Sequence, residues 1–235
     1  MLKLRLLTSG CTLVFASLIS PSLLAASLTP FKATYTHELN AGISVSGEAV
    51  RELSQTENGD WLLAIEASAM VASIKETTRF TAKDHQIQPL EYDYQRRVLG
   101  KRRAAHLSFD WDSGKVTTDI DNKPWKMNIQ PGVHDKLSYQ MQLPLDLAQG
   151  AKQMRYEVAD GGQIQTYQFK VVGEEQIQTP MGDFTAIKVA RDRGEGSERE
   201  TYLWLAPALD YMVVRLHQIE SDGKEYSLLL KSLSQ

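Results

Sequence analysis

Apolar residues in this chain recur at every second position, in short segments parted by turn residues, and that period suits strands and not helices. Across residues 31–39, Phe31, Ala33, Tyr35 and His37 fall on one side, with Lys32, Thr34, Thr36 and Glu38 on the other. The pattern returns at Trp61–Ile65, at Leu90, Tyr92 and Tyr94, and at Ala105, Leu107, Phe109 and Trp111. It continues through Trp125, Met127 and Ile129, then Tyr167, Phe169 and Val171, then Ile187–Val189. Tyr202–Leu205, Met212–Leu216 and Tyr226–Leu233 complete the series. Aromatic and β-branched side chains dominate these segments, as a pleated, half-buried surface favours.

Between them lie Asn58-Gly59, Asp112-Ser113-Gly114, Asp160-Gly161-Gly162 and Ser221-Asp222-Gly223-Lys224, residues that tolerate positive φ in tight turns. Connections this short join antiparallel neighbours. The expectation is an all-β fold, predominantly antiparallel, of roughly 10–12 strands, which at that size curls into a curved sheet or incomplete barrel. One segment departs from the pattern. From Asp135 to Gly150, Leu137, Met141 and Leu145 recur at helical spacing, with Asp135 placed as a cap and Gly150 as a stop. Pro144 is expected to bend that helix or end it near Leu143. No repeat or linker divides the chain, so residues 27–235 read as a single β-rich domain.

Residues 1–26 read as a cleaved signal peptide: Lys3 and Arg5, an apolar stretch from Leu6 to Ile19, a break at Ser20-Pro21, and small residues at Ala25, Ala26 and Ser27. The apolar stretch is shorter than the ~20 residues a membrane span needs. Export places the mature chain in the periplasm. Cys11, the one cysteine, lies inside the signal, and its flanking residues have the wrong order for a lipidation site. A mature chain without cysteine has no disulfide, thiolate metal site or cysteine nucleophile. Loss of Lys3 and Arg5 takes the formal charge from −3 to −5, which argues against a nucleic-acid partner. An exported β chain of this length could also form an outer-membrane barrel. Its candidate strands, however, carry charge on both faces, as at Arg96-Arg97 and Arg199-Glu200, where a barrel needs an unbroken lipid-facing apolar set.

The C-terminal third carries the most specific pattern: Thr179-Pro180-Met181-Gly182-Asp183-Phe184, Tyr202-Leu203-Trp204-Leu205-Ala206-Pro207 and Asp210-Tyr211. Together with Phe31–Tyr35 and Pro89–Tyr92, these segments resemble an exported bacterial family known only as a domain of unknown function, the 3108 family. The resemblance implies a periplasmic, mostly antiparallel β protein and brings no catalytic residues with it. Physically the motif reads as structure. Pro180 and Gly182 suit a type II turn with Gly182 in its third position, Phe184 anchors the next strand, and Trp204 packs in a strand that Pro207 ends.

No catalytic, cofactor or metal residues are predicted. His37, His85, His106, His134 and His217 lack the spacing of a helical metal site, and no nucleophile elbow, phosphate loop or dinucleotide fingerprint is present. Asp110/Asp112 and Asp119/Asp121 read as solvated hairpin ends. The strongest charge feature is a run of five cations within eight residues, Arg96, Arg97, Lys101, Arg102 and Arg103, around the expected hairpin tip Val98-Leu99-Gly100. Two readings stand: contact with anionic headgroups or other anionic envelope surface, or a solvated edge that discourages strand pairing. The functional expectation is a non-catalytic envelope protein holding an amphipathic or lipid-like ligand in a concave sheet. Its rivals are an interaction scaffold with a solid core and a hydrolase with a site assembled from distant strands.

Overall fold

The computed structural model describes residues 28–40, 44–69 and 72–235; the expected signal at 1–26, its cleavage site and Cys11 lie outside the described residues. The chain first runs as a meander of hairpins: β1 (Phe31–Asn40), β2 (Ser44–Gln55), β3 (Trp61–Ala69), β4 (Ala72–Lys83), β5 (Gln86–Val98), β6 (Lys101–Asp110), β7 (Lys115–Ile120) and β8 (Lys123–Asn128). A crossing segment with the two-residue strand β9 (Val133–His134) leads into α1 (Tyr139–Ala148). A second meander follows: β10 (Gln153–Asp160), β11 (Gln163–Thr179), β12 (Gly182–Asp192), β13 (Glu200–Ala206), β14 (Met212–Ile219) and β15 (Glu225–Ser234).

All fifteen strands form one sheet, in which β15 returns to pair with β1 and the two meanders meet in its middle. Every neighbouring pair is antiparallel except β9 with β10. Bulges at Thr34/Tyr35, Arg79/Phe80, Val171/Gly173 and Trp204/Leu205 bend the strands. The sheet is all-β and curved as expected, with fifteen strands where roughly 10–12 were read. It does not close into a barrel, because β8 and β9 remain its edges. One side chain spans the gap: Trp125 of β8 donates from Nε1 to the Gly162 carbonyl, 3.1 Å away, in the β10–β11 turn. Only glycine fits there, since a Cβ on Gly162 would lie 1.8 Å from the indole. Among the described residues no helix is long and apolar enough to cross a membrane.

The helix lies in the concavity and divides the interior in two. On one side Met141 and Leu145 meet Phe31, Leu53, Leu63 and Phe80 of the first meander. On the other, Leu143 and Leu147 meet Tyr156, Phe169, Val189 and Leu205 of the second. Gly150 ends the helix as expected, whereas Asp135 caps the turn that precedes it and Ser138 is the N-cap of α1 itself. Asp135 Oδ1 accepts from the Leu137 and Ser138 amides at 2.7 and 2.8 Å, and Ser138 Oγ accepts from the Asp135 amide at 2.9 Å, a reciprocal box one turn ahead of the helix. At the far end Gly150, at φ 88°, donates to Leu147, and Ala151 donates to Asp146, the pair of bonds that ends many helices.

Three local expectations are corrected. Pro144 does not end α1 near Leu143; the helix runs four residues beyond it, to Ala148. The carbonyl that proline leaves without a donor, Gln140 O, instead accepts from Arg51 Nη2 at 3.4 Å. The turn at Thr179–Gly182 is not type II with glycine third. Pro180 and Met181 are its two central residues, Met181 is not among the positive-φ residues, and Gly182 comes fourth. Thr179 Oγ1 holds this turn by accepting from the Met181 and Gly182 amides. Phe184 is half-buried against the main core and does not anchor its interior. Trp204, in contrast, packs as expected at 3% exposure, its Nε1 donating to Glu175 Oε2 at 2.8 Å between the side chains of Lys188 and Arg215.

Candidate functional site

A cavity of about 390 Å³ opens between α1 and the concave face, at the junction of the two meanders. Phe31 of β1 and Leu53 of β2 form its sheet wall, and Met141, Pro144 and Leu145 its helix wall. Leu209, Asp210 and Tyr211, from the turn before β14, stand with Leu28 and Gln235 around the rest. The turn is shaped by Asp210 and Tyr211 at φ 50° and 59°, and Tyr211 donates its amide to Ala206. The walls are mainly apolar, and the volume is within the ~300–1,000 Å³ typical of small-molecule sites.

Among the described residues one cation lines this cavity. Arg51 occupies an inward position of β2, opposite Ala33 of β1 and Ile65 of β3, and is 8% exposed. Its Nη2 reaches Gln140 O at 3.4 Å, a long contact for a guanidinium, and Met141 Sδ at 3.4 Å, where the thioether is a weak acceptor. Its Nε is buried without a partner, and among the described residues Arg51 has no carboxylate in ion-pair contact. Burial holds its pKa below the usual arginine range, partly offset by the Tyr35 and Tyr139 hydroxyls. Burial pushes Tyr35 up to about 12, against the pull of Arg51, and its hydroxyl donates to Val213 O at 2.9 Å.

A second polar group lies at the head of the helix. Asp135 is fully buried and also accepts from Thr78 Oγ1 of β4 at 2.6 Å. Burial raises its pKa, and the hydrogen bonds from Thr78, Ser138 and Leu137 oppose that rise. His134 stands edge-on to Tyr156, and burial depresses its pKa to about 4. His134, Asp135 and Ser138 look on paper like parts of a hydrolytic site, with Ser138 Oγ 3.4 Å from His134 Nδ1. Their geometry is that of a lock. Asp135 spends its oxygens on Thr78 and backbone amides, all three residues are under 5% exposed, and none lines the cavity. The other histidines are scattered: His106 pairs with Asp93 and His217 with Glu225, both at the surface. Among the described residues no three metal-binding side chains converge.

The five cations fall where the sequence put them, on the β5–β6 hairpin. Leu99 and Gly100, at φ 49° and 79°, make its two-residue turn, and Arg96 faces Arg103, Arg97 faces Arg102 and Val98 faces Lys101. All five cations are exposed, and Leu99 at the apex is 75% exposed. None has an ion-pair partner among the described residues. Like charges directly across a ladder are destabilising. The solvated-edge reading stays open beside that of anionic contact, because β7 pairs with β6 only from Ala105 to Asp110, so Lys101, Arg102 and Arg103 lie on a stretch of β6 that projects past β7. Asp110 and Asp121 are hairpin-end residues, as read: Asp110 accepts from Ser113, and Asp121 accepts from the Ala104 amide.

Arg51 is the site residue that sequence reasoning missed. Its signal was faint: one arginine at an inward position of a strand with few apolar residues. The structure does not bring Arg51 and the five hairpin cations together; the cavity and the hairpin tip share no lining residue.

Residues 31–231 match the family model described as Protein of unknown function (DUF3108). Among solved structures, a β-barrel-like protein of domain of unknown function DUF1849 from Brucella abortus aligns with a TM-score of 0.60 and 13% identity, covering 88% of this chain and 98% of that one. That likeness is one of fold. A protein with a YmcC-like fold from Bacteroides fragilis overlays more loosely, with a TM-score of 0.34 and 11% identity over 87% of this chain and 95% of that one. No curated protein matches the chain.

Proposed function

The chain belongs to the DUF3108 family of proteins of unknown function, and from that premise we propose that it is a non-catalytic protein of the bacterial envelope that holds a lipid-like, amphipathic ligand beneath α1. The observation that carries this reading is the largely apolar cavity of about 390 Å³ between the helix and the concave sheet. A scaffold with a solid interior would have no use for it. Apolar walls favour burying hydrocarbon, at about 25 cal/mol for each Å² removed from water. The signal-like residues 1–26 support a periplasmic setting, and the mature chain is expected to begin near Ser27.

The same reading gives the β5–β6 tip a role. Arg96, Arg97, Lys101, Arg102 and Arg103 would rest against anionic headgroups, each contributing ~1 kcal/mol near the surface, with Leu99 entering the headgroup layer. The self-repulsion across that hairpin is relieved when anions lie between its strands' side chains. Native mass spectrometry of protein purified from the periplasm tests the proposal. A population carrying one lipid-sized adduct is expected. Bare protein alone, from gentle extraction without detergent, would remove the ligand-holding role.

A further inference from the structure

A buried guanidinium is costly to desolvate, by several kcal/mol even after relaxation, and proteins ordinarily offset that with a carboxylate. Arg51 has none. Two weak contacts, a long one to a carbonyl and one to a thioether, are all it receives from α1, and its buried Nε–H has no partner among the described residues. The contact to Gln140 O explains why a donor is useful opposite Pro144. It does not explain a full charge, since a neutral amide could donate there as well. Among the described residues, the cavity onto which Arg51 faces has one acidic side chain, Asp210, and that residue is exposed. Asp210 disfavours an anion at the mouth, while Arg51 favours one at the inner wall. Between them the surface is Phe31, Leu53, Leu145 and Leu209, which suits hydrocarbon.

We infer that the cavity selects an amphiphile with an anionic head, a carboxylate or phosphate monoester on an alkyl chain, and binds it with the head against Arg51 and the chain along the apolar walls. This rests on the ligand-holding role proposed above and adds the chemical class and orientation of the ligand. The head supplies the acceptor that Nε lacks, and a guanidinium meets such a group through two parallel N–H···O bonds. With the alkyl chain filling the cavity in front of it, the bond would be shielded from solvent and little screened by salt.

Isothermal titration calorimetry of the full mature chain, stripped of co-purified lipid, separates the possibilities with decanoate, decyl phosphate and decanol as probes. Wild type is expected to bind one or both anionic probes about 10- to 100-fold more tightly than decanol, the factor a charge-assisted hydrogen bond supplies. The better of the two anions identifies the head. Arg51→Gln should bring the three affinities within about twofold of each other while keeping decanol binding, and Arg51→Lys should keep part of the preference. Equal affinity of wild type for all three probes would overturn the inference and leave the ligand-holding role standing. Binding of none of them would overturn both. The wild-type comparison needs no variant, so it decides the matter even if Arg51→Gln does not fold.

Discussion

Among the described residues, the cavity wall and the β5–β6 tip both hold positive charge with no carboxylate in ion-pair contact, and they do so under opposite conditions. Arg51 is 8% exposed, surrounded by Leu53, Met141 and the helix backbone. The five tip cations stand in solvent on two facing strands. In water two unit charges at 4 Å interact by about 1 kcal/mol, and at an effective dielectric near 20 by about 4 kcal/mol. A single buried cation can therefore discriminate between ligands, whereas five exposed ones give a summed attraction that salt weakens. Under the proposed function, one region would read a head group and the other would reach a surface.

The largest effect sets the energy scale for burial against which both regions are judged. Trp204→Ala, removing a side chain 3% exposed, should cost about 3–5 kcal/mol in a denaturant titration. Phe184→Ala, at a half-buried position, should cost distinctly less. Equal losses would mean that exposure is a poor guide to energy in this sheet, and the contrast between the two regions would lose its basis.

A smaller effect sharpens the contrast at the cavity. Arg51→Met removes a desolvated charge and leaves Gln140 O without its donor, a term of about 1–3 kcal/mol against a desolvation penalty of several. Stability should rise by about 1 kcal/mol or more, read as a higher denaturant midpoint with unchanged slope. A fall would make Arg51 a fastener for the helix around Pro144, with its charge incidental. Residues kept for ligand recognition commonly lower stability, so the expected sign is also the functional one.

The smallest effect on stability belongs to the tip. Replacing Arg102 and Arg103 by Ser should change unfolding free energy by no more than about 0.5 kcal/mol. It should nevertheless weaken sedimentation with anionic vesicles, and wild-type binding should decline steeply with salt as the Debye length falls from ~30 Å at 0.01 M to ~10 Å at 0.1 M. Equal sedimentation with neutral and anionic vesicles would leave the hairpin as plain solvated surface.

The strands legible in the sequence are those whose inward positions are apolar, such as β1 with Phe31, Ala33 and Tyr35. Several of the others carry buried polar groups at inward positions: Arg51 in β2, Thr78 in β4, Thr118 in β7. Those residues interrupt the alternation because they serve the interior, Arg51 at the cavity and Thr78 at the head of the helix. β10 is the exception, with Met154, Tyr156 and Val158 alternating plainly. Turns built on glycine were readable, while Asp84-His85 and Asp121-Asn122 reach the same positive φ without it. The basic tip was legible because its residues are contiguous. The cavity was not, because Arg51 and Gln140 are 89 positions apart and only the folded chain brings them together.

The seam between β1 and β15, where Lys32 faces Ser234, has a kinetic consequence. Each meander zips from hairpins between sequence neighbours, a fast and local process, but the seam joins residues about as far apart as the chain allows, and such closure is slow. Until it forms, β1 offers a bare edge rich in β-formers, the kind of surface that recruits foreign strands. A chain threaded from its N-terminus would present that edge through almost the whole of its emergence, and β15 would be the last strand to arrive. Early folding is thus the interval in which this protein is most open to misassembly, and a companion that shields a lone strand would act on β1.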